Sequence, residues 1–209
     1  MYQELVPHQK NPFSWNQIWN AEYDKTGSTA FHSYYKNMYL RDANYKKFGF
    51  NKFYTLDSKP AITHQDRTDN SPYANDAASY QNIIDQLNTE EHPQFLQLVT
   101  MQNHMTYDNW YFNNQFNQAN VTENLNDYER GQINTYAKGV SITDQATIDF
   151  LNQLNAMDKP ITVIFCVCSI ESGPCERVDV FHVSGRFWST SACGEKRTPA
   201  RPAWTSFPS

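Results

Sequence analysis

Two compact apolar runs set the terms on which this chain can fold. Gln94-Phe-Leu-Gln-Leu-Val-Thr-Met101 follows Pro93, and Ile161-Thr-Val-Ile-Phe165 follows Lys159-Pro160. Apolar runs without in–out alternation belong to strands buried on both faces, as in a parallel sheet. Segments of helical period lie beside them. Residues 75–88 place Tyr80, Ile83, Ile84 and Leu87 on one face. Ala146, Phe150, Leu151, Leu154 and Met157 make a second stripe, in a helix expected to open near Ser141, where Ser-Ile-Thr-Asp fits a capping box. A further strand is expected over 28–33, after a Lys-Thr-Gly turn. Residues 108–126 are Asn-rich and read as a long loop with Trp110, Tyr111, Phe112 and Phe116 exposed. Strand, helix, strand, helix, strand is an α/β pattern, a mostly parallel sheet with helices on both faces.

Sheets of this kind bind ligands at the carboxyl ends of their strands. The rule selects the positions just after Ala30-Phe31, Thr100-Met101 and Phe165, and the first two carry His32 and His104. His32 is followed within ten positions by Tyr39 and Arg41. An imidazole beside a planar guanidinium suits an anion, because Arg can give two parallel hydrogen bonds to one phosphate. Residue types alone favour His32 as a satisfied strand-end residue and Arg41 as a surface cation, and leave His104 open between a structural and a ligand-contacting role. His64-Gln65-Asp66 has metal-ligating side chains but a loop setting, and reads as a solvated turn. His8, His92 and His182 read as surface positions.

The third strand end is where the composition breaks. Residues 1–165 hold 21 Asn and 14 Gln, and residues 166–209 hold none. At the upstream frequency the last segment would carry roughly nine. All four Cys (Cys166, Cys168, Cys175, Cys193) lie after the break and all 13 Tyr before it. Zinc knuckles pair their thiolates as Cys-x₂₋₄-Cys at both ends, and Cys175 and Cys193 have no such partners. A disulfide-bearing tail is the other orderly reading. The expectation drawn is two segments: a coherent domain over 1–165 and an aberrant tail over 166–209, translated out of frame and disordered. A net charge of −5 excludes a strongly basic nucleic-acid binder. No run of about 18 apolar residues is present, so no membrane span is expected, and no secretory leader is visible in Met1–Pro7.

The stretch from Thr29 to Phe53, with His32, Tyr39 and Arg41, resembles the lipoteichoic acid synthase family of the sulfatase and alkaline phosphatase superfamily. That family has a His, an aromatic residue seven positions on (usually Trp) and an Arg two further on. Leu98-Val-Thr-Met-Gln-Asn-His104-Met-Thr-Tyr107 is similar to its Asn-His-x-Pro-Tyr signature, with Thr106 in place of Pro, a departure expected to loosen the loop after His104. The resemblance covers about residues 1–165.

It implies a partial alkaline-phosphatase/sulfatase-like fold. The implied activity is transfer of glycerol phosphate from phosphatidylglycerol to lipoteichoic acid, by an extracellular domain tethered to the plasma membrane of a Gram-positive bacterium. The family uses a Thr nucleophile and a manganese or magnesium ion, which lowers the nucleophile's pKa and neutralises phosphoryl charge. By carry-over, His32, Tyr39, Arg41 and His104 line the glycerol-phosphate pocket, with Arg41 and the two imidazoles stabilising phosphoryl charge. No catalytic residue and no metal ligand carries over. The family's Tyr-Gly-Asp-His signature is replaced by Cys166-Val-Cys-Ser169, and its Thr nucleophile and acidic ligand are expected upstream of Met1. The expectation is therefore an inactive fragment that does not bind the metal. The alternatives are a sulfatase-like ester hydrolase, or a non-catalytic binder of anionic wall polymer using His32, Arg41 and the aromatic residues at 107–116.

Overall fold

The structure, a computed structural model, describes residues 6–10, 12, 14–22, 27–167, 177–184 and 187–192. The chain divides into two compact units, Met1–Leu151 and Asn152–Ser209.

The first unit is built on a parallel sheet of three strands, β1 (Ser28–His32), β2 (Lys52–Tyr54) and β3 (Phe95–Val99), in the order β2-β1-β3. The central strand β1 is buried at all five positions, although three of its residues are polar. Ser28 meets its needs locally, its amide and hydroxyl both donating to Asn51 Oδ1 at 3.0 and 2.9 Å. β3 was expected to be buried on both faces, yet it is half-buried throughout. Among the described residues it forms an edge of this sheet, with β1 on one flank and no described strand on the other.

Helix α1 (Trp15–Glu22) packs on β1. Helix α2 (Arg41–Phe48) follows a short 3-10 turn at Met38–Leu40. It ends at Gly49, whose φ of 81° is the left-handed conformation a C-terminal cap requires, with Gly49 N donating to Lys46 O and Phe50 N to Tyr45 O. Helix α3 (Asp76–Thr89) is capped by Asn75, whose side chain accepts from Ala78 N at 2.8 Å. Its expected stripe is buried at Tyr80, Ile83 and Ile84. After the short α4 (Phe116–Ala119) comes the long α5 (Asp127–Ala156). Tyr80 of α3 stacks on Phe150 of α5 at 4.5 Å between ring centres and 13° between planes. The Tyr80 hydroxyl, pushed up to about 12 by burial, bonds Thr147 Oγ1 at 3.1 Å.

The long helix starts 14 residues before the expected position at Ser141. The working capping box is at Asn126: Glu129 N donates to Asn126 Oδ1 at 2.9 Å, and Asn126 N to Glu129 Oε2 at 3.0 Å. Ser141 instead sits inside the helix, its hydroxyl turned back to Lys138 O at 2.8 Å. The expected loop over 108–126 is mostly irregular, but Trp110 and Tyr111 are buried rather than exposed. Trp110 lies edge-on to Tyr73 at 5.6 Å, and its carbonyl accepts from Asn70 N.

The second unit differs from the expected parallel sheet. β4 (Ile161–Val167) is a strand, as read from the sequence, but it pairs antiparallel with β5 (Arg177–Ser184), which pairs antiparallel with β6 (Phe187–Ala192). The reason is connectivity: a parallel partner needs a long crossover, whereas a strand close behind in the chain returns antiparallel. Part of the expected disordered tail thus lies in these two strands. Residues 168–176, 185–186 and 193–209, with Cys168, Cys175 and Cys193, lie outside the described residues. Cys166 is exposed. No described helix is long and apolar enough to cross a membrane.

Candidate anion-binding site

The four residues singled out from the sequence come together beside the carboxyl ends of β1 and β3: His32 ends β1, Tyr39 and Arg41 lie on the 3-10 turn and helix α2 that follow, and His104 stands on the turn after β3. His32 is the last residue of β1 and is 0% exposed. Its Nδ1 lies 3.2 Å from Val99 O and its Nε2 lies 3.0 Å from Arg41 Nη1. A carbonyl can only accept and a guanidinium can only donate, so Nδ1 carries the proton and Nε2 is the acceptor. Burial, and then the neighbouring Arg41 charge, push the imidazole down to about 4.

Arg41 opens helix α2 and is buried, at 9% exposure. Among the described residues no carboxylate forms an ion pair with it. Its Nε is buried without a hydrogen-bond partner. Tyr39 lies under the guanidinium, 5.1 Å from its carbon to the ring centre, a cation–π contact. To put the ring there, Tyr39 and Leu40 both take left-handed backbone, with φ of 54° and 55°. Non-glycine residues in that region cost about 1 kcal/mol each and collect at functional sites.

His104 stands on a turn after β3 closed by its own amide to Met101 O at 2.9 Å. Its Nδ1 is 2.7 Å from Met105 O, which fixes the proton on Nδ1 in the neutral ring and leaves Nε2 as acceptor. Tyr39 hydroxyl reaches that Nε2 at 3.5 Å, the long limit of a hydrogen bond. The loop after His104, where Thr106 stands, is tied at several points: Tyr73 hydroxyl donates to Met105 O at 2.6 Å, Tyr107 hydroxyl to Asn103 O at 3.0 Å, and Thr106 Oγ1 to Asp108.

Tyr73 is a site residue that sequence reasoning missed. Its ring is edge-on to His104 at 5.6 Å and to Tyr34 at 5.7 Å, and its hydroxyl lies 3.3 Å from His104 Nδ1. No local pattern marks it, since it meets His104 across 31 residues of chain. The Arg41 helix had a usable signal in Lys46-Lys47-Phe48-Gly49, basic residues in a last turn followed by a capping Gly.

A buried polar group supports the His104 turn from behind. Thr143 Oγ1, on α5, donates to Asp76 Oδ2 at 2.6 Å and accepts from Gln102 Nε2 at 2.9 Å and Asn103 Nδ2 at 2.8 Å. Burial holds the Asp76 carboxyl above the usual carboxylate range. His64 is elsewhere, its Nε2 2.7 Å from Asp85 Oδ2 on a solvated surface, and His8 and His92 are exposed. His182 has no described side chain. Among the described residues, no group of three or more His, Cys, Asp or Glu could hold a metal ion. The manganese or magnesium implied by the family resemblance therefore finds no ligand set in these residues.

Comparison with known proteins bears on what this arrangement is. The solved structure of Streptococcus pyogenes phosphoglycerol transferase GacH in complex with sn-glycerol-1-phosphate matches with a TM-score of 0.64 and 26% identity, over 79% of this chain and 41% of that one. The lipoteichoic acid synthase LtaP from Listeria monocytogenes matches in fold, with a TM-score of 0.54 and 18% identity, over 73% and 35%. A Rhizobium meliloti (strain 1021) protein assigned to cyclic beta-1,2-glucan modification is 28% identical over 138 residues, which are 66% of this chain and 20% of that protein. The chain thus spans less than half the length of each of these relatives. The Sulfatase family model matches residues 23–166, from ahead of β1 into β4 and across both histidine-bearing strand ends. On that match and the shared α/β fold, the chain belongs to the sulfatase family.

Proposed function

We propose that this chain is the glycerol-phosphate-recognising part of a phosphoglycerol transferase, one that moves glycerol phosphate from phosphatidylglycerol onto lipoteichoic acid outside the cell. One observation carries the reading: a buried guanidinium with no described carboxylate partner and an unbonded Nε. A buried cation is costly unless an opposite charge and hydrogen bonds meet it, and a phosphodiester supplies both. Arg41 takes the phosphoryl oxygens. His104 Nε2, an acceptor in the neutral ring, takes a glycerol hydroxyl, with Tyr39 and Tyr73 walling that end. The GacH structure, solved with sn-glycerol-1-phosphate, supports this choice of ligand.

In this proposal the chain binds and does not turn over, a reading that rests on Cys166-Val-Cys-Ser169 standing where the resembled family has Tyr-Gly-Asp-His. Titration of the purified chain with sn-glycerol 1-phosphate tests recognition, and release of product from a soluble phosphodiester with manganese present tests turnover. Saturable binding lost in Arg41→Ala, with no release above a His104→Ala control, is the expected pair of results. The Rhizobium meliloti relative favours a second acceptor class, a glucan in place of a teichoic chain. Competition by each oligomer for the phosphoglycerol site distinguishes the two.

A further inference from the structure

The two imidazoles of the site differ in what they can touch. His104 is half-buried with Nε2 directed to the Tyr39 hydroxyl. His32 has no exposed surface, and both ring nitrogens are engaged, Nδ1 with Val99 O and Nε2 with Arg41 Nη1. An edge-on Tyr34 ring, 6.4 Å between centres, lies against it. A phosphate could reach His32 only by breaking the Arg41 bond and opening the strand end.

We infer that His32 is a positioning residue, a neutral acceptor that fixes the guanidinium of Arg41 through Nη1 and never contacts the anion. The inference rests on the reading of Arg41 as the phosphate-binding cation. A guanidinium presents its donors in a rigid planar fork, so holding one Nη sets the direction of the others. The Val99 carbonyl holds the ring in the only tautomer that can accept from Arg41. The Tyr39 ring fixes the guanidinium from its face. Arg41 is thus aimed by two contacts that the anion does not make, while its buried Nε has no partner. The titratable and charged groups that act on His32 are Arg41, His104 and Asp57.

Four variants of the full chain test this by titration with sn-glycerol 1-phosphate. His32→Gln can place an amide oxygen near the position of Nε2, and His32→Leu cannot accept at all. Losing a charge-assisted bond predicts about a tenfold or greater loss of affinity in His32→Leu, with His32→Gln within about threefold of wild type. In an Arg41→Ala background, His32→Leu changes the residual affinity by less than about twofold, since its effect travels through Arg41. An equal loss in both backgrounds means direct contact with the anion and overturns the inference. So does a His32→Gln loss as large as that of His32→Leu. Nitrogen-15 spectra of the histidine rings give a readout independent of affinity. The Nδ1–H tautomer of His32 is expected at neutral pH with and without ligand, with its Nε2 resonance moved by Arg41→Ala. An imidazolium or an Nε2–H tautomer on ligand addition refutes the positioning role. Should wild type bind no glycerol phosphate, the functional reading fails, and an Nε2 resonance unmoved by Arg41→Ala refutes the His32–Arg41 coupling as well.

Discussion

The Tyr39 ring lies 5.1 Å from the Arg41 guanidinium carbon, and two consecutive left-handed residues, Tyr39 and Leu40, hold it there. Leu40 is half exposed, so its side chain contributes little packing to set against its φ of 55°. Leu40→Gly is expected to raise stability by about 0.5–1 kcal/mol, because glycine enters this region without the Cβ penalty. Denaturant titration checks it. A loss above 1 kcal/mol would show that the Leu40 side chain, not the strained backbone, governs the turn.

Two glycines in α5 make a matched pair. A Cβ on Gly139 would collide with Asn103 Oδ1 and come to 3.2 Å from the Tyr111 hydroxyl, whereas one on Gly131 meets nothing within 4 Å. Helix propensity favours alanine over glycine by about 1 kcal/mol at either position. Gly131→Ala is expected to stabilise by about 0.5–1 kcal/mol. Gly139→Ala is expected to destabilise by about 1–3 kcal/mol and to shift the His104 ring resonances, since Asn103 must move. Equal melting shifts for the two would contradict the close approach behind the His104 turn.

Thr143 joins three partners in one hydroxyl. Thr143→Val keeps the shape and leaves Asp76, Gln102 and Asn103 each short of a bond, at a cost of about 2–4 kcal/mol. Thr143→Ser, which keeps the hydroxyl, should recover most of it. Chemical denaturation of the three proteins decides, and a serine variant no better than valine would remove the hydroxyl from the account.

Acid exposes the neutrality of His32. Its folded value of about 4 lies below the ordinary 6.5, so between these the unfolded chain binds a proton that the folded chain refuses. Stability is therefore present above about pH 6.5 and lost as pH falls toward 4, on the order of 3 kcal/mol from this residue. Asp76, raised by burial, contributes with the opposite sign in acid. The difference between wild type and His32→Gln isolates the histidine: the variant should lack this slope. Parallel pH profiles would contradict a proton-free His32.

β3 and α3 were legible from an apolar run and a helical period, and β1 from the Lys-Thr-Gly turn ahead of it. By contrast, β2 at Lys52–Tyr54 is three residues long, too short to carry a pattern, and was not expected. β4 was legible as a strand but not in its pairing, since an apolar run states burial and not the direction of its partner. The start of α5 was misplaced because Ser141-Ile-Thr-Asp144 and Asn126-Asp-Tyr-Glu129 both resemble caps. Exposed Tyr128, Ile133, Tyr136 and Val140 also blur the apolar stripe that would have extended the helix upstream. At the site, the spacing of His32, Tyr39 and Arg41 was readable, but the contacts among them depend on the left-handed turn between. The bond from His32 to Arg41 and the placement of Tyr73 arise only once the strand ends are assembled.

The central claim is that Arg41 is an anion site for glycerol phosphate. Calorimetric titration of the chain with sn-glycerol 1-phosphate tests it most directly. Saturable one-to-one binding that falls at least about a hundredfold in Arg41→Ala is the expected result. Heat-silent wild type, or an alanine variant that binds as well as wild type, would contradict it.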